Sequence, residues 1–209
     1  MNLTEAWNWR YATKKFDSSK KLDAQEIEKL KEAITLAPSS YGLQPYKVMV
    51  IEDQKTREQL KEASWNQTQI TDASHLFVFC NIKKVERNFI EDFFALKANK
   101  MGVDTSAMAG YVDFIDNKLQ DKSNNEMSNW TAKQAYIGVS NLLTAAAINK
   151  IDACPMEGFD AGGYDKILNL SEKGLEAAVV VAVGYRSSED SSANAPKVRW
   201  AEEELFQSL

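Results

Sequence analysis

The sequence is poor in the side chains that carry most self-sufficient catalysis. It has one histidine, His75, and two cysteines, Cys80 and Cys154, among 209 residues. No Cys-X-X-Cys pair occurs, so we expect no metal site built from thiolate and imidazole ligands. Each cysteine lies in an apolar segment typical of a strand, which predicts buried free thiols in a reducing compartment.

Familiar nucleotide and nucleophile motifs are missing as well. The chain contains no GxxxxGKS/T phosphate loop, no GxGxxG dinucleotide fingerprint and no GxSxG nucleophile turn. Ser74 precedes His75, but neighbouring residues of a strand point to opposite faces. We therefore expect no serine–histidine pair there, only a structural histidine whose hydrogen bonds are satisfied. Acid–base work by paired carboxylates stays open, because acidic residues are plentiful and no spacing singles out two of them.

Long apolar runs and an excess of positive charge are also absent. The longest apolar run, Ala177 to Gly184, is far too short to cross a bilayer, and residues 1–14 do not resemble a signal peptide. The formal net charge is −5, whereas sequence-independent nucleic-acid binding needs a basic face. Hydrophobic residues make up 44%, enough to bury a core. We expect a cytoplasmic protein without a nucleic-acid or membrane partner.

Apolar spacing and capping residues predict several helices and few strands. This order lacks the regular alternation of a doubly wound parallel sheet and favours an α+β fold. We predict one domain over 1–209 with a helical excursion at about 86–125. The predicted helices are 2–9, Asp23 to just before Pro38 with Ile27, Leu30, Ile34 and Leu36 on one side, Asp53 to Ala63, 86–99, 104–120, Met127 to Asn149 and 160–168. The predicted strands are Tyr46 to Ile51, His75 to Ile82, Ile151 to Cys154 stopped by Pro155, and a central strand from Ala177 to Tyr185.

The predicted helix from Met127 to Asn149 is apolar on all sides and rich in alanine and glycine. Small residues allow another element to approach closely, and a helix that is apolar all round is buried. The pattern leaves open whether the chain's own core or a second subunit covers it.

Two cationic clusters stand at opposite ends of the chain. Arg10, Lys14 and Lys15 form the first, and Lys197 and Arg199 form the second. They are either solvated surface charges or one anion pocket built from both termini, because Arg and Lys together suit phosphate oxygens. Residues 37–45 between them are dense in hydroxyl, amide and backbone donors and are also compatible with an ordinary helix-to-strand loop.

Several segments together resemble the nitroreductase family, and within it the oxygen-insensitive bacterial flavoenzymes that reduce nitroaromatics and quinones. The resemblance covers nearly the whole chain and keeps the family's order and spacing. It implies the nitroreductase fold, with a central mixed or antiparallel sheet flanked by helices. The segments are Arg10-Tyr11-Ala12-Thr13-Lys14-Lys15-Phe16-Asp17, Pro38-Ser39-Ser40 with Gln44-Pro45, Asp72-Ala73-Ser74-His75 with the following Leu76 to Cys80, Trp130-Thr131-Ala132-Lys133-Gln134, Pro155-Met156-Glu157-Gly158-Phe159-Asp160, Val183-Gly184-Tyr185 and Pro196-Lys197-Val198-Arg199.

The resemblance implies a homodimer with FMN at the subunit interface and NADH or NADPH as a transient co-substrate. Arg10, Lys197 and Arg199 would bind the FMN phosphate. Lys14 would lie beside the pyrimidine edge of the flavin, and Phe114 would line the substrate channel. Backbone N–H groups of Glu157 and Gly158 would face flavin N5 and O4, and residues 38–40 would come from the second subunit. The implied cofactor-binding residues are Arg10, Tyr11, Ala12, Lys14, Pro38, Ser39, Ser40, Gly42, Asn66, Glu157, Gly158, Lys197 and Arg199.

The chain departs from the family's pattern at a few positions. Ala12 replaces a common serine, which removes one hydrogen bond to the phosphate or ribityl chain. Gln69 stands where close relatives have a lysine near the flavin, which removes a positive charge and lowers the expected flavin potential. The region 86–125 matches least, so substrate choice is the weakest implication.

The resemblance implies a ping-pong reaction in which reduced nicotinamide and the acceptor use one channel in turn. No side chain need act as an essential acid or base, which agrees with the scarcity of histidine. Two alternatives remain: another flavin-dependent reductase on the same fold, acting on dihydropteridines or activated alkenes, and a non-catalytic flavin-binding protein.

Overall fold

A four-stranded antiparallel sheet forms the centre of the computed structural model, which describes residues 2–209. The strands are β1 (Tyr46–Ile51), β2 (His75–Ile82), β3 (Asp152–Met156) and β4 (Leu175–Gly184), in the spatial order β1-β2-β4-β3. The predicted α+β fold with an antiparallel sheet is confirmed, and β4 is central as the sequence indicates.

Helices surround the sheet. Four 3₁₀ turns lie between them, at Ser40–Gly42, Thr105–Met108, Ser171–Lys173 and Ser191–Asn194. No helix of the described residues is long and apolar enough to span a lipid bilayer. The helices are α1 (Leu3–Trp9), α2 (Ala24–Thr35), α3 (Gln54–Glu62), α4 (Gln69–Asp72), α5 (Arg87–Met101), α6 (Ala109–Gln120), α7 (Asn124–Ile148), α8 (Ala161–Leu168) and α9 (Glu202–Leu205).

The two central strands are apolar almost throughout because both of their faces are covered. Phe77 and Phe79 of β2 pack with α2 and α7 on one face. Leu76 and Val78 point to the other face and pack against Leu60 of α3 and its neighbours. Cys80 in β2 and Cys154 in β3 are buried and free, as predicted.

Helix α7 lies across the sheet, and its small residues permit the close contact. A Cβ added at Gly138 would lie 3.0 Å from Tyr46 Oη and 3.2 Å from Phe79 Cε1. Ser123 caps the helix, so it starts three residues before the predicted Met127. The expectation of burial on all sides is wrong within one chain: Tyr136, Ile137 and Ile148 face outward and are exposed.

The excursion is built from α5 and α6, which share a small apolar core with Leu43, Val85 and Met127. Gly102 ends α5 in the left-handed region at φ 67°, as the Met101-Gly102 break predicts. The Arg87 guanidinium joins the two helices through Glu91, Asp113 and Asp116.

Two local predictions are wrong. Strand β3 continues through Pro155 to Met156, and Pro155 pairs with Val181 of β4. A proline is tolerated there because β3 is an edge strand, so its missing N–H disrupts no ladder on the outer side. Leu36 is 72% exposed and not on the apolar face, because α2 ends at Thr35 and Leu36 is its C-cap.

Candidate active site

Cations from both ends of the chain line one cavity of about 430 Å³. Arg10 follows α1, and Lys197 and Arg199 lie in the extended segment before α9. The Lys197 ammonium donates hydrogen bonds to the carbonyl oxygens of Trp7 and Arg10, both at 2.5 Å. The predicted convergence of the two termini on one pocket is therefore present.

The charge of this pocket is uncompensated by acidic side chains. Among residues 2–209, no carboxylate forms an ion pair with Arg10, Lys197 or Arg199. Burial and the nearby Arg199 lower the pKa of Arg10, and burial together with Arg10 and Arg199 lowers the pKa of Lys197. Such mutual repulsion is relieved by a bound anion, and the donor set suits the oxygens of a phosphate.

The Arg186 guanidinium lies over two aromatic rings, Trp9 and Tyr11, which flank Arg10 in sequence. The Arg186 guanidinium carbon lies 4.3 Å from the Trp9 ring centre and 4.6 Å from the Tyr11 ring centre. Asp152 holds Arg186 from the opposite side, with Oδ1 2.8 Å from Nε and 2.7 Å from Nη2. Arg10, the extended C-cap of α1, lies between these two aromatic residues in sequence and lines the cationic cavity with them.

A buried carboxylate, Asp190, joins the N-terminal and C-terminal segments. Its Oδ2 accepts hydrogen bonds from the backbone N–H groups of Lys14 (2.8 Å) and Lys15 (3.1 Å) and from the Tyr11 hydroxyl (2.9 Å). Its Oδ1 accepts the N–H of Ser192 at 3.0 Å. Burial acts to raise the pKa of Asp190, but these hydrogen bonds outweigh it and the pKa lies below its usual value. Burial and Asp190 in turn raise the pKa of Tyr11 to about 12.

The segment carrying Lys14 lies against the outer edge of β3. Ala12 bridges Ala153 in parallel, and the Thr13 N–H donates to the Ala153 carbonyl at 3.4 Å. Burial raises the pKa of the neighbouring Cys154 thiol, while the charges of Lys14 and Arg10 act in the opposite direction. Lys14 therefore lies beside β3, the strand that leads directly into Glu157 and Gly158.

That turn has close neighbours from the loop between α3 and α4. Gln67 Nε2 donates to the Gly158 carbonyl at 2.7 Å, and a Cβ at Gly158 would lie 2.8 Å from Trp65 Cζ3. Asn66 sits between these two residues, exposed and in the left-handed region at φ 58°. The backbone of Gly158 is thus within reach of Asn66's loop, and a larger residue would disturb the contact.

A second group of predicted residues lies elsewhere in the chain; we call it the loop cluster, and it comprises Pro38, Ser39, Ser40, Gly42 and Phe114. The Ser40 N–H donates to Gln134 Oε1 of α7 at 2.8 Å, and Ser39 Oγ accepts the Gln44 N–H at 2.8 Å. Phe114 stacks on Tyr111, whose ring centre is 6.4 Å from that of Tyr41. The loop residues and the channel residue that the resemblance implies are therefore neighbours.

Helix α7 separates the loop cluster from the residues around Arg10 and Gly158. Gln134 contacts the loop cluster, whereas Tyr136 donates a 2.7 Å hydrogen bond to Glu157 and Thr144 accepts one from Trp7 at 3.3 Å. Residues two positions apart on a helix point in directions about 200° apart, and residues ten positions apart lie about 15 Å apart along the helix axis. The two groups thus lie on different sides of α7 within one chain.

The prediction that Ser74 and His75 do not pair is wrong. The prediction of a structural histidine with a hydrogen-bond partner is confirmed. Ser74 Oγ lies 2.8 Å from His75 Nδ1, because Ser74 precedes β2 and is not bound by strand alternation. The hydroxyl also accepts the Leu22 N–H at 2.7 Å, and Ser74 is buried, so it is no exposed nucleophile. The described residues contain no group of three or more side chains suited to a metal ion.

Several residues that shape the site escaped the sequence analysis: Trp65, Gln67, Tyr136, Arg186 and Asp190. Arg186 and Asp190 lie between two recognised segments, Val183-Gly184-Tyr185 and the one that begins at Pro196, and this position could have indicated them. Tyr136 and Trp65 gave none, because their partners are distant in sequence.

A cavity lined by Arg10, Lys197 and Arg199 has the donor set of an anion-binding site. The model of the Nitroreductase family matches residues 8–185, and the chain belongs to that family. It is 34% identical over 200 residues to the oxygen-insensitive NAD(P)H nitroreductase of Enterobacter cloacae, with 91% of each chain covered. The fold is shared with a nitroreductase family protein from Streptococcus pneumoniae (TM-score 0.85, 20% identity, 100% of both chains). It is also shared with a structure from Exiguobacterium sibiricum determined in complex with FMN (TM-score 0.86, 18% identity, 100% and 98% covered).

Proposed function

We propose that this protein is an FMN-dependent oxidoreductase that uses NADH or NADPH to reduce nitroaromatics, quinones or similar acceptors. Family membership and the name of the Enterobacter cloacae relative support this activity, and the FMN bound to the fold relative from Exiguobacterium sibiricum supports the cofactor.

The observation that carries the proposal is the convergence of Arg10, Lys197 and Arg199 on one cavity without acidic partners. Three cations held together at the cost of lowered pKa values for Arg10 and Lys197 need an anion to balance them. A flavin mononucleotide offers a phosphate, and riboflavin does not, so the donor set fits FMN.

Each remaining residue would then serve one part of the cofactor. The bound flavin supplies two-electron chemistry at N5. Lys14 places a positive charge near the pyrimidine edge, where it favours the negative charge of the reduced ring. The backbone N–H groups of Glu157 and Gly158 would donate toward N5 and O4, and the absence of a Cβ at Gly158 makes room for Trp65 against this turn. The Asn66 amide can donate and accept, as an imide-like ring requires.

We infer that the site is completed by a second copy of the chain. The loop cluster lies across α7 from Gly158, so it reaches the same cofactor only from another subunit. Apolar side chains are exposed at the end of α2, on α7 and along the C-terminal segment, and a homodimer would cover them. They are Leu36, Ile137, Ile148, Val198, Trp200, Leu205, Phe206 and Leu209.

We further propose a cytoplasmic location, since reduced nicotinamides and a reducing environment for Cys80 and Cys154 are found there. Phe114 and its aromatic neighbours in the excursion would shape the channel for the acceptor.

The test is a steady-state comparison of acceptors with the FMN-loaded protein. Nitrofurazone and menadione, with NADH and with NADPH, should give double-reciprocal lines that are parallel, as in ping-pong kinetics. Faster turnover of a dihydropterin or an activated alkene would assign the alternative reductase activity, and reduction of no acceptor would leave a flavin-binding protein without catalysis.

A further inference from the structure

The cations of the proposed phosphate pocket come from segments about 190 residues apart, and among these cations Lys197 bonds across, to the carbonyl oxygens of Trp7 and Arg10. Arg10 and Lys14 flank an extended stretch, and Lys197 and Arg199 lie in a stretch without regular hydrogen-bonded structure. Unsupported, like charges on two such segments would move apart. Some group must hold both segments without neutralising the pocket.

Asp190 has the contacts that this task requires. It lies where the chain turns from β4 toward the C-terminus, and it is 4% exposed. Three of its hydrogen bonds come from the N-terminal segment, through Tyr11, Lys14 and Lys15, and one comes from Ser192 in its own segment. This carboxylate therefore joins the two segments, beside the Ser187 N–H that donates to the Lys15 carbonyl and the two bonds of the Lys197 ammonium.

The chemistry of these bonds leaves the cationic side chains available. Asp190 accepts from the backbone N–H groups of Lys14 and Lys15 and from a neutral phenol, and it forms no ion pair with Arg10, Lys197 or Arg199. Charge-assisted hydrogen bonds of this kind are stronger than neutral ones, so the carboxylate gives firm support. An amide or hydroxyl at position 190 would accept fewer or weaker bonds.

We propose that Asp190 is the positioning residue of the phosphate pocket, holding the Tyr11–Lys15 segment against the Ser192 turn so that Arg10, Lys197 and Arg199 converge on the FMN phosphate. The inference rests on the proposed function and adds a residue that touches no part of the cofactor. We expect Asp190 to control how much more tightly the protein binds FMN than a flavin without a phosphate, and not its affinity for the flavin ring.

The experiment compares FMN with riboflavin, which lacks the phosphate, by fluorescence titration of the apoprotein. Selectivity is the ratio of the riboflavin Kd to the FMN Kd. In Asp190→Asn, which keeps the size of the side chain and loses the charge, selectivity should fall about tenfold or more. The matched control is Glu189→Gln, the neighbouring exposed carboxylate that contacts Lys15 at 3.6 Å, and its selectivity should equal that of the unaltered protein.

A purely structural role would weaken both ligands equally and leave the ratio unchanged, and that result would overturn the inference. Should Asp190→Asn fail to fold, as judged by circular dichroism, Tyr11→Phe removes one of the three bonds to Oδ2 and gives the same decision, with a fall of about threefold expected and an unchanged ratio contradicting it. An unaltered protein that binds neither ligand would overturn the proposed function and this inference together. A selective unaltered protein with a selective Asp190→Asn would overturn this inference alone.

Discussion

The indole of Trp65 lies directly against the backbone of Gly158. The contact is so close that a Cβ added to Gly158 would be 2.8 Å from Trp65 Cζ3, and Gln67 Nε2 would be 3.2 Å away. Trp65 is 70% exposed and adopts a left-handed backbone conformation at φ 53°. Trp65 and Gln67 therefore leave no room for a side chain at position 158.

Gly158→Ala should therefore displace the turn that carries the proposed N5 donor. We expect FMN to stay bound, because the phosphate pocket is untouched, and its midpoint potential to fall by about 20–30 mV as the hydrogen bond to O4, which gains electron density on reduction, weakens. Potentials measured by dye equilibration check this.

The matched control is Gly110→Ala in α6, where an added Cβ meets nothing within 4 Å. It should leave the potential unaltered and stabilise the helix by about 0.5–1 kcal/mol. Equal potentials for Gly158→Ala and Gly110→Ala would show that the Gly158 turn does not touch the flavin.

Arg199→Ala should weaken FMN binding by about 1.5–3 kcal/mol, the usual contribution of one charge-assisted contact. Flavin content after gel filtration and the Kd of the apoprotein measure the loss. Lys29→Ala, on the exposed face of α2, removes a charge far from the pocket and serves as the control. Full flavin retention by Arg199→Ala would remove this residue from the phosphate site.

Lys14→Ala should keep FMN and slow its reduction by NADH or NADPH about tenfold, since a charge that favours the reduced ring is lost. Stopped-flow absorbance under anaerobic conditions follows the reductive half-reaction. Lys15→Ala is the control, because that side chain contacts the exposed Glu189 instead. Identical rates for the Lys14 and Lys15 variants would contradict the assigned role.

Arg57→Met should lower the free energy of unfolding by at least about 3 kcal/mol. The buried guanidinium donates to the carbonyl oxygens of Ile70, Thr71, Ala73 and Ser74, and a methionine would leave them unpaired. Urea denaturation measures the change. Arg57→Lys, which keeps the charge and some donors, should lose less; equal losses would mean that the carbonyl contacts contribute little.

Acid should erase the stabilising effect of Asp190. Hydrogen bonds hold the folded-state pKa of this carboxyl below its unfolded value near 3.8, so its contribution is present above that pH. The contribution is lost as the pH falls through the lower, folded-state pKa. Urea unfolding of the unaltered protein and Asp190→Asn should therefore differ at pH 6 and converge toward pH 2. A difference that stays constant with pH would contradict the assignment.

Much of the fold was predictable because it depends on local patterns. Helix α2 follows from the Asp23 cap with Ile27, Leu30 and Ile34, and β2 from an uninterrupted apolar run. The failures were tertiary in origin. Pro155 is accepted within β3 only because that strand is at an edge, and Ser74 reaches His75 because Ser74 lies before the strand, where side chains need not alternate between faces.

The site was predictable in part through the resemblance, which depends on segments and their order. Arg10, Lys197 and Arg199 do meet, as the two cationic clusters indicate. The residues that hold them, Asp190 and Arg186, act through backbone groups and ring faces, and such partners leave no spacing to recognise in a single sequence.

The most direct test of the central claim is to titrate the purified apoprotein with FMN and then add NADH or NADPH without oxygen. The account predicts that one FMN binds per chain, that the protein turns yellow, and that the flavin absorbance bleaches on addition of reduced nicotinamide. A folded protein that stays colourless after FMN is added and the excess removed would contradict it.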